Sequence, residues 1–349
     1  MHELTVGYTL MRTGTRQMKN HYYVFCYSDY NKSVYSELSA VDNCEIIWDP
    51  ASKECGTITY YKKRIIEILL GVGHFKNKWT IGRLLGIQRM SYPSIKPVLI
   101  LNEFSTLAKY PELLKEIKTI RPDIKTVLVL TNIIGSCPES SKYVIGDINN
   151  RIDYNCIITF DKHDAEKYGL NYYEGVYSPP ALEYEEVGQL EARPQYDLYF
   201  CGMDKGRLPM LQSMHSRLSE AGLSCRFDIV TDRDEVISDG LKLYSKQIPY
   251  KTIIHRSCNA KTILELLARP DSYGSTLRTF EAISLRKKLL TNNQYYTEKR
   301  WYTQKQFLGI DNPDEVLAEF ISEPLKLEDS VDPEELSPKR FIQYIEDII

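Results

Sequence analysis

Short, nearly unbroken apolar runs alternate along the chain with stretches in which apolar residues return every three or four positions. HYYVFCY (21–27), CEIIW (44–48), PVLIL (97–101), KTVLVLT (125–131) and NCIITF (155–160) read as strands. The central ones lack polar alternation, the pattern of parallel strands covered on both faces. YPELLKEIKTI (110–120) sets Leu113, Leu114, Ile117 and Ile120 on one side of a helix. DKHDAEKYGL (161–170) reads as a short helix closed by Gly169.

The rhythm breaks at YSPPALEYEEVGQLEARPQ (177–195), which holds three prolines and neither period, and reads as a linker. A second series follows. YDLYFCG (196–202), CRFDIVT (225–231), KTIIHRS (251–257) and KKLLTNN (287–293) read as strands. RLPMLQSMHSRLSEAG (207–222) is a helix with Leu208, Leu211, Met214 and Leu218 on one side. TLRTFEAISL (276–285), PDEVLAEFIS (313–322) and PKRFIQYIEDII (338–349) are further helices. Repeated β-α-β on both sides of a linker predicts an α/β fold of two facing Rossmann-like domains with parallel sheets and a C-terminal helix. The expected divisions are an N-terminal domain over 1–178, a linker over 179–195, a second domain over 196–335 and a helix over 336–349.

Composition narrows the partners. A chain of 349 residues exceeds one small core, and its net charge of −3 leaves no global basic coat for nucleic acid, so an anionic partner must be met locally. The eight cysteines include no CxxC spacing, which argues against a zinc cluster or a compact disulfide framework and for reduced, packed thiols. The first twenty residues hold no long apolar stretch, and no run approaches the roughly 18 apolar residues of a membrane span. The expectation is a cytoplasmic protein, with contact at the inner membrane face resting on residues 58–90. There Lys62, Lys63, Arg64, Lys76, Lys78, Arg83 and Arg89 stand against Glu67 alone, interleaved with Phe75 and Trp79. Such a stretch suits anionic headgroups or a lipid-diphosphate acceptor; it equally suits a helix packed on the sheet with a solvated basic face.

Ligands of such sheets bind beyond the carboxyl ends of the strands. One candidate loop is YFCGMDKGRLPM (199–210). Gly202 and Gly206 permit close backbone approach, and Lys205 and Arg207 add charge beside a helix N-terminus. It matches neither GxGxxG nor a Walker loop, so a plain strand-to-helix turn is the competing reading. A second is SYGSTLRTFEA (272–282). With Ser275 as N-cap, Arg278 and Glu281 share a face away from Leu277, Phe280 and Ile283. The alternative is an exposed i,i+3 ion pair worth a few tenths of a kcal/mol.

YDLYFCGMDKGRL, IPYKTIIHRSCNAKTILELL, STLRTFEAISLRKKLLTNN, VLVLTNI and ITFDKHDAEKYGLNYYEGVYSPP resemble bacterial GT-B glycosyltransferases of capsule, exopolysaccharide or O-antigen assembly, over roughly residues 95–320. The resemblance implies a nucleotide-sugar donor, UDP-linked, as substrate, with no resident cofactor and no metal, and a saccharide or lipid-linked acceptor. It places Glu281 on the donor ribose, Lys205 and Arg207 by the diphosphate, and Tyr250 by the base; the residues themselves offer Gly202, Ser275, Thr276 and Arg278 to the phosphates. Asn132 matches an acceptor-side position, or caps the next turn.

A catalytic base is expected at a strand end of the N-terminal domain, where Glu103 and Asp49 are the candidates and Asp29 and His74 weaker ones. Asp232 and Asp234 are spaced as DxD, but two carboxylates make a poor metal site and a solvated turn is the preferred reading. His255 is expected as a packed histidine within a strand. A sugar-nucleotide epimerase and a non-catalytic nucleotide-sugar-binding scaffold are the alternatives. An NAD-dependent oxidoreductase is disfavoured, because no GxGxxG follows a strand.

Overall fold

The computed structural model describes residues 19–49, 95–109, 111–135, 154–179, 194–232, 240–269, 272–312 and 314–349. Residues 58–90, His74 and Asp234 lie outside them, as does most of the expected linker. Runs with no polar alternation need cover on both faces, and the fold supplies it twice. The first sheet comprises β1 (Lys19–Cys26), β2 (Cys44–Trp48), β3 (Ile95–Asn102), β4 (Lys125–Leu130), β5 (Cys156–Thr159) and β6 (Asn171–Tyr172), all parallel, in the order β2-β1-β3-β4-β5-β6. The second comprises β7 (Tyr196–Met203), β8 (Cys225–Val230), β9 (Leu241–Tyr244), β10 (Ala260–Glu265), β11 (Lys288–Thr291) and β12 (Phe307–Gly309), also parallel, in the order β12-β11-β10-β7-β8-β9. Strand order reverses between β1 and β3 in the first sheet and between β7 and β10 in the second. These two switch points are where such sheets open a crevice.

Residues one apart on a strand face opposite ways. On β1, Tyr23 and Phe25 pack with Leu114 and Ile117 of α2 (Pro111–Ile120). Tyr22, Val24 and Cys26 turn to a core that also contains Ala282 and Ile283 of the second domain and Phe341 and Ile345. Those last two belong to the C-terminal helix, whose Phe341 lies against Tyr35 and Tyr173 of the first domain. In the second domain, Leu208, Leu211, Met214 and Leu218 of the long helix bury against Phe200 and Phe227, as the periodicity predicts.

The other α-helices of more than four residues among the described ones are, in chain order, α1 (Asp29–Val34) before α2, then α3 (Lys162–Tyr168), α4 (Leu208–Glu220), α5 (Tyr250–Cys258), α6 (Leu277–Ser284), α7 (Asp314–Ser322) and the terminal α8 (Pro338–Ile348). Asp161 caps α3 by accepting the Asp164 N–H at 3.0 Å, and Gly169 ends it at φ 65°. No helix among the described residues is long and apolar enough to cross a membrane.

One expectation fails here. KTIIHRS is not a strand but most of α5. Its β-branched residues resemble a strand, yet Pro249 at the N-cap and the buried Ile253, Ile254, Ser257 and Cys258 trace a helical stripe. The strand lies just beyond, in AKTILE (260–265). His255 accordingly sits on the exposed side of α5 rather than in a core.

Candidate functional site

A cavity of about 480 Å³ separates the C-terminal ends of the two sheets. Gly202, Lys205, Arg207, Ser275, Thr276 and Arg278 border it from the second domain, and Asn132 from the first. These are seven of the residues singled out in the sequence, drawn from three loops.

The loop after β7 turns on two successive left-handed residues, Lys205 at φ 45° and Gly206 at φ 82°. Only glycine adopts this region freely, so the Lys205 backbone is a strained position. Asp204 is buried at the turn. Its carboxylate accepts the Leu208 N–H at 2.9 Å and the Thr231 hydroxyl at 3.2 Å. The N-terminus of α4 therefore carries an internal anion, and the cations beside it, not the helix, face the cavity. Arg207 donates to the carbonyls of Asp204, Leu266 and Met203 and stacks over Phe200. It ties the ends of β7 and β10 together at the switch point. Burial pulls its pKa below the usual arginine value, against the opposing charge of Asp204.

The second loop leads into α6. Its N-cap is Thr276, whose hydroxyl accepts the Arg278 N–H at 3.1 Å; Ser275, the expected cap, is buried one residue earlier. Behind the loop stands Glu265, the last residue of β10 and 1% exposed. Its Oε1 accepts the Thr276 N–H at 3.1 Å and the hydroxyls of Thr276 and Thr279 at 2.6 Å; its Oε2 accepts the Thr291 hydroxyl at 2.6 Å. The sequence reading missed Glu265. The available signal was an acid interrupting the apolar run TILELL, where a carboxylate must be satisfied internally.

Arg278 and Glu281 do pair, but not on a solvated face. Glu281 is 0% exposed and the Arg278 side chain 14%. The polar face of α6 is covered by Tyr250 of α5 together with Tyr177 and Tyr30 of the first domain, so the pair is a buried element at the domain junction that borders the cavity through Arg278. Burial raises the Glu281 pKa above the ordinary carboxylate range despite Arg278. For Arg278, burial works against the charge, and Glu281 together with Cys201, Tyr250 and Tyr199 holds the pKa up. Tyr250, at the start of α5, bonds hydroxyl to hydroxyl with Tyr177 at 2.6 Å and meets Tyr30 edge-on. Tyr250 and Glu281 thus lie behind the cavity wall.

Across the cleft, Glu103 is buried at the end of β3. It accepts the Thr131 N–H at 2.9 Å, the Thr131 hydroxyl at 2.9 Å and the Asn132 amide at 2.9 Å. Burial raises its pKa even so. Glu103 stands behind Asn132 rather than on the cavity surface. Asp49 is fully buried at the end of β2, where its N–H bonds the Cys26 carbonyl, and it does not border the cavity. Asp29 is the first residue of α1, and Asp232 is exposed after β8.

Two glycines set how closely the domains meet. A Cβ on Gly175 of the first domain would overlap the Phe280 ring of α6, and one on Gly274 would overlap the Phe160 ring of the first domain. Asp161 adds a bond from the Gly274 N–H at 2.8 Å. Glu174 meets Lys299 at 3.4 Å. Burial presses the Lys299 pKa down and the Glu174 pKa up.

No family model matches the chain, and no curated protein matches it. Solved structures do. The chain is similar to an alpha-glucosyltransferase in complex with UDP and a 13-mer DNA containing a central A:G mismatch, at 8% identity and TM-score 0.52, over 95% of this chain and 99% of that one. It is similar to a glycosyltransferase from Rickettsia africae ESF-5 at 11% identity and TM-score 0.49, covering 94% and 98%. It is also similar to the UDP-GlcNAc 2-epimerase from Methanocaldococcus jannaschii at 12% identity and TM-score 0.47, covering 94% and 99%. The likeness is one of fold: two facing Rossmann-like domains of the GT-B kind.

Proposed function

We propose that the chain transfers a glycosyl group from a UDP-linked sugar to a saccharide or lipid-linked acceptor in bacterial surface-polysaccharide assembly. The observation that carries this reading is the charge of the cleft. Lys205, Arg207, Arg269 and Arg278 border the cavity at the switch point of the second sheet, and no carboxylate borders it among the described residues. A group with two adjacent phosphates meets that demand. The fold neighbour at TM-score 0.52 was solved with UDP, which agrees.

In the transfer, the bond from the sugar anomeric carbon to the donor phosphate breaks and a bond to the acceptor hydroxyl forms. The departing diphosphate takes the electron pair, and cations placed beforehand lower the cost of that charge. Metal independence follows from the same reading, because the basic side chains supply the counter-charge. Asn132 is assigned to the acceptor. Its amide N–H is held by Glu103, which turns its carbonyl oxygen towards an incoming hydroxyl. Glu103 has the raised pKa that suits proton acceptance, and taking that role requires Thr131 or Asn132 to release an oxygen.

Thermal shift against a panel of nucleotides and nucleotide sugars tests donor binding. Ligand at a hundred times its dissociation constant stabilises by about 2.7 kcal/mol. Stabilisation by UDP or a UDP-sugar is expected, and none with any nucleotide refutes the reading. Conversion of the donor sugar without an acceptor would instead establish the epimerase.

A further inference from the structure

Four donors converge on Glu265, and all four are neutral: one backbone N–H and three threonine hydroxyls. The three hydroxyl contacts, at 2.6 Å, have the length of charge-assisted O–H···O⁻ bonds.

The consequence passes through Thr276. A threonine hydroxyl has one proton and two lone pairs. Glu265 takes the proton, so towards the Arg278 N–H the same oxygen can only accept. The carboxylate thereby fixes the polarity of the N-cap. It also fixes the entry of α6, because Thr279 one turn on is held by the same Oε1. Thr291 at the end of β11 completes the frame, linking α6 to both neighbouring strands. The stretch so framed, Ser275 to Arg278, borders the cavity, whereas Glu265 does not.

We infer that Glu265 is the positioning residue of the donor site: it holds the Thr276 cap and the first turn of α6 in the geometry that receives a nucleoside diphosphate. This rests on the reading of the cleft as a nucleotide-sugar site. Glu265→Gln keeps the size of the side chain and lets Thr291 reverse one bond, so the fold persists while the charge that orients Thr276 is lost. Thr276→Val removes the hydroxyl that relays the effect.

The test is calorimetric titration of UDP into wild type, Glu265→Gln, Thr276→Val and the double variant, with steady-state donor kinetics on each. A tenfold or larger rise in Kd and donor KM is expected for Glu265→Gln, with kcat changed less than threefold. The double variant should bind UDP no more weakly than the weaker single variant, because both changes break one relay. Thr276→Ser, which keeps the hydroxyl, should bind within threefold of wild type. If wild type binds UDP and Glu265→Gln binds it equally, or if the two losses simply add, the positioning role is overturned. If wild type binds no nucleotide at all, it is the donor-site reading that fails. Should Glu265→Gln not fold, Thr279→Val and Thr291→Val cut the same frame singly, and unchanged UDP affinity in both overturns the inference.

Discussion

Gly175→Ala is the sharpest perturbation of the domain interface. Gly175 does not occupy the left-handed region, so alanine brings no backbone strain there. In open space it would stabilise by about 0.4–1 kcal/mol through the unfolded chain. Here the new methyl overlaps the Phe280 Cζ and Cε1, and even Cε2 stands only 3.1 Å away. Phe280 is 9% exposed and packed edge-on against Trp301, so the ring has little room to retreat. Overpacking of this kind costs about 1–3 kcal/mol. The net loss then spans about 0–2.6 kcal/mol, centred near 1–2, and it falls on the contact between domains. If the domains part to relieve it, the state that presents both cavity walls becomes rarer and apparent ligand affinity drops, by up to about 30-fold for a loss of about 2 kcal/mol. Denaturant titration and UDP calorimetry on Gly175→Ala, Phe280→Leu and the double variant separate the terms. The shorter leucine makes room for the methyl, so the double variant should be more stable than the sum of the single losses by at least about 1 kcal/mol. Strict additivity, or a Gly175→Ala protein with unchanged stability and affinity, refutes the reasoning.

Three other outcomes follow from the site. Arg278→Ala strands a buried carboxylate and should destabilise by about 3–5 kcal/mol; because the Glu281 pKa is raised in the folded protein, the native state holds the proton more tightly, so in this variant the loss should shrink as pH falls towards the ordinary carboxylate range and grow as pH rises, seen in urea midpoints at pH 5 and pH 8. Arg207→Lys should fail to rescue Arg207→Ala in both stability and UDP affinity, since one ammonium cannot serve the carbonyls of Asp204, Leu266 and Met203 in a single plane. Tyr177→Phe and Tyr250→Phe should each cost about 0.5–1.5 kcal/mol in denaturant unfolding, and the pair together no more than the larger of the two.

Much of this architecture was legible because apolar periodicity reports local burial. β2 matches its apolar run residue for residue, and α4 buries the four residues its spacing selects. What periodicity cannot report is a second surface arriving from elsewhere in the chain. Glu281 reads as solvated on the helical wheel, yet Tyr250 of α5 and tyrosines of the first domain close over that face and bury it completely. Glu103 reads as a base at a strand end, yet a loop 28 residues on wraps its oxygens. Glu265 stands inside an apolar run, and its donors come from 11, 14 and 26 residues further along. KTIIHRS fails for another reason: β-branched composition favours a strand, but Pro249 and the packing of α5 decide the outcome.

The terminal helix has a mechanical meaning. The chain passes from the first domain to the second after Ser178, and it returns between Val331, whose N–H is held by Gln306, and Leu336, whose carbonyl accepts the Tyr177 N–H at 2.8 Å. The outgoing and returning segments are therefore bonded to each other at the crossing. One connecting segment lets a domain spin about its own single bonds; two fastened side by side forbid that torsion and leave only flexure across the pair. Flexure about that crossing would bring the two walls of the cavity back into the same register.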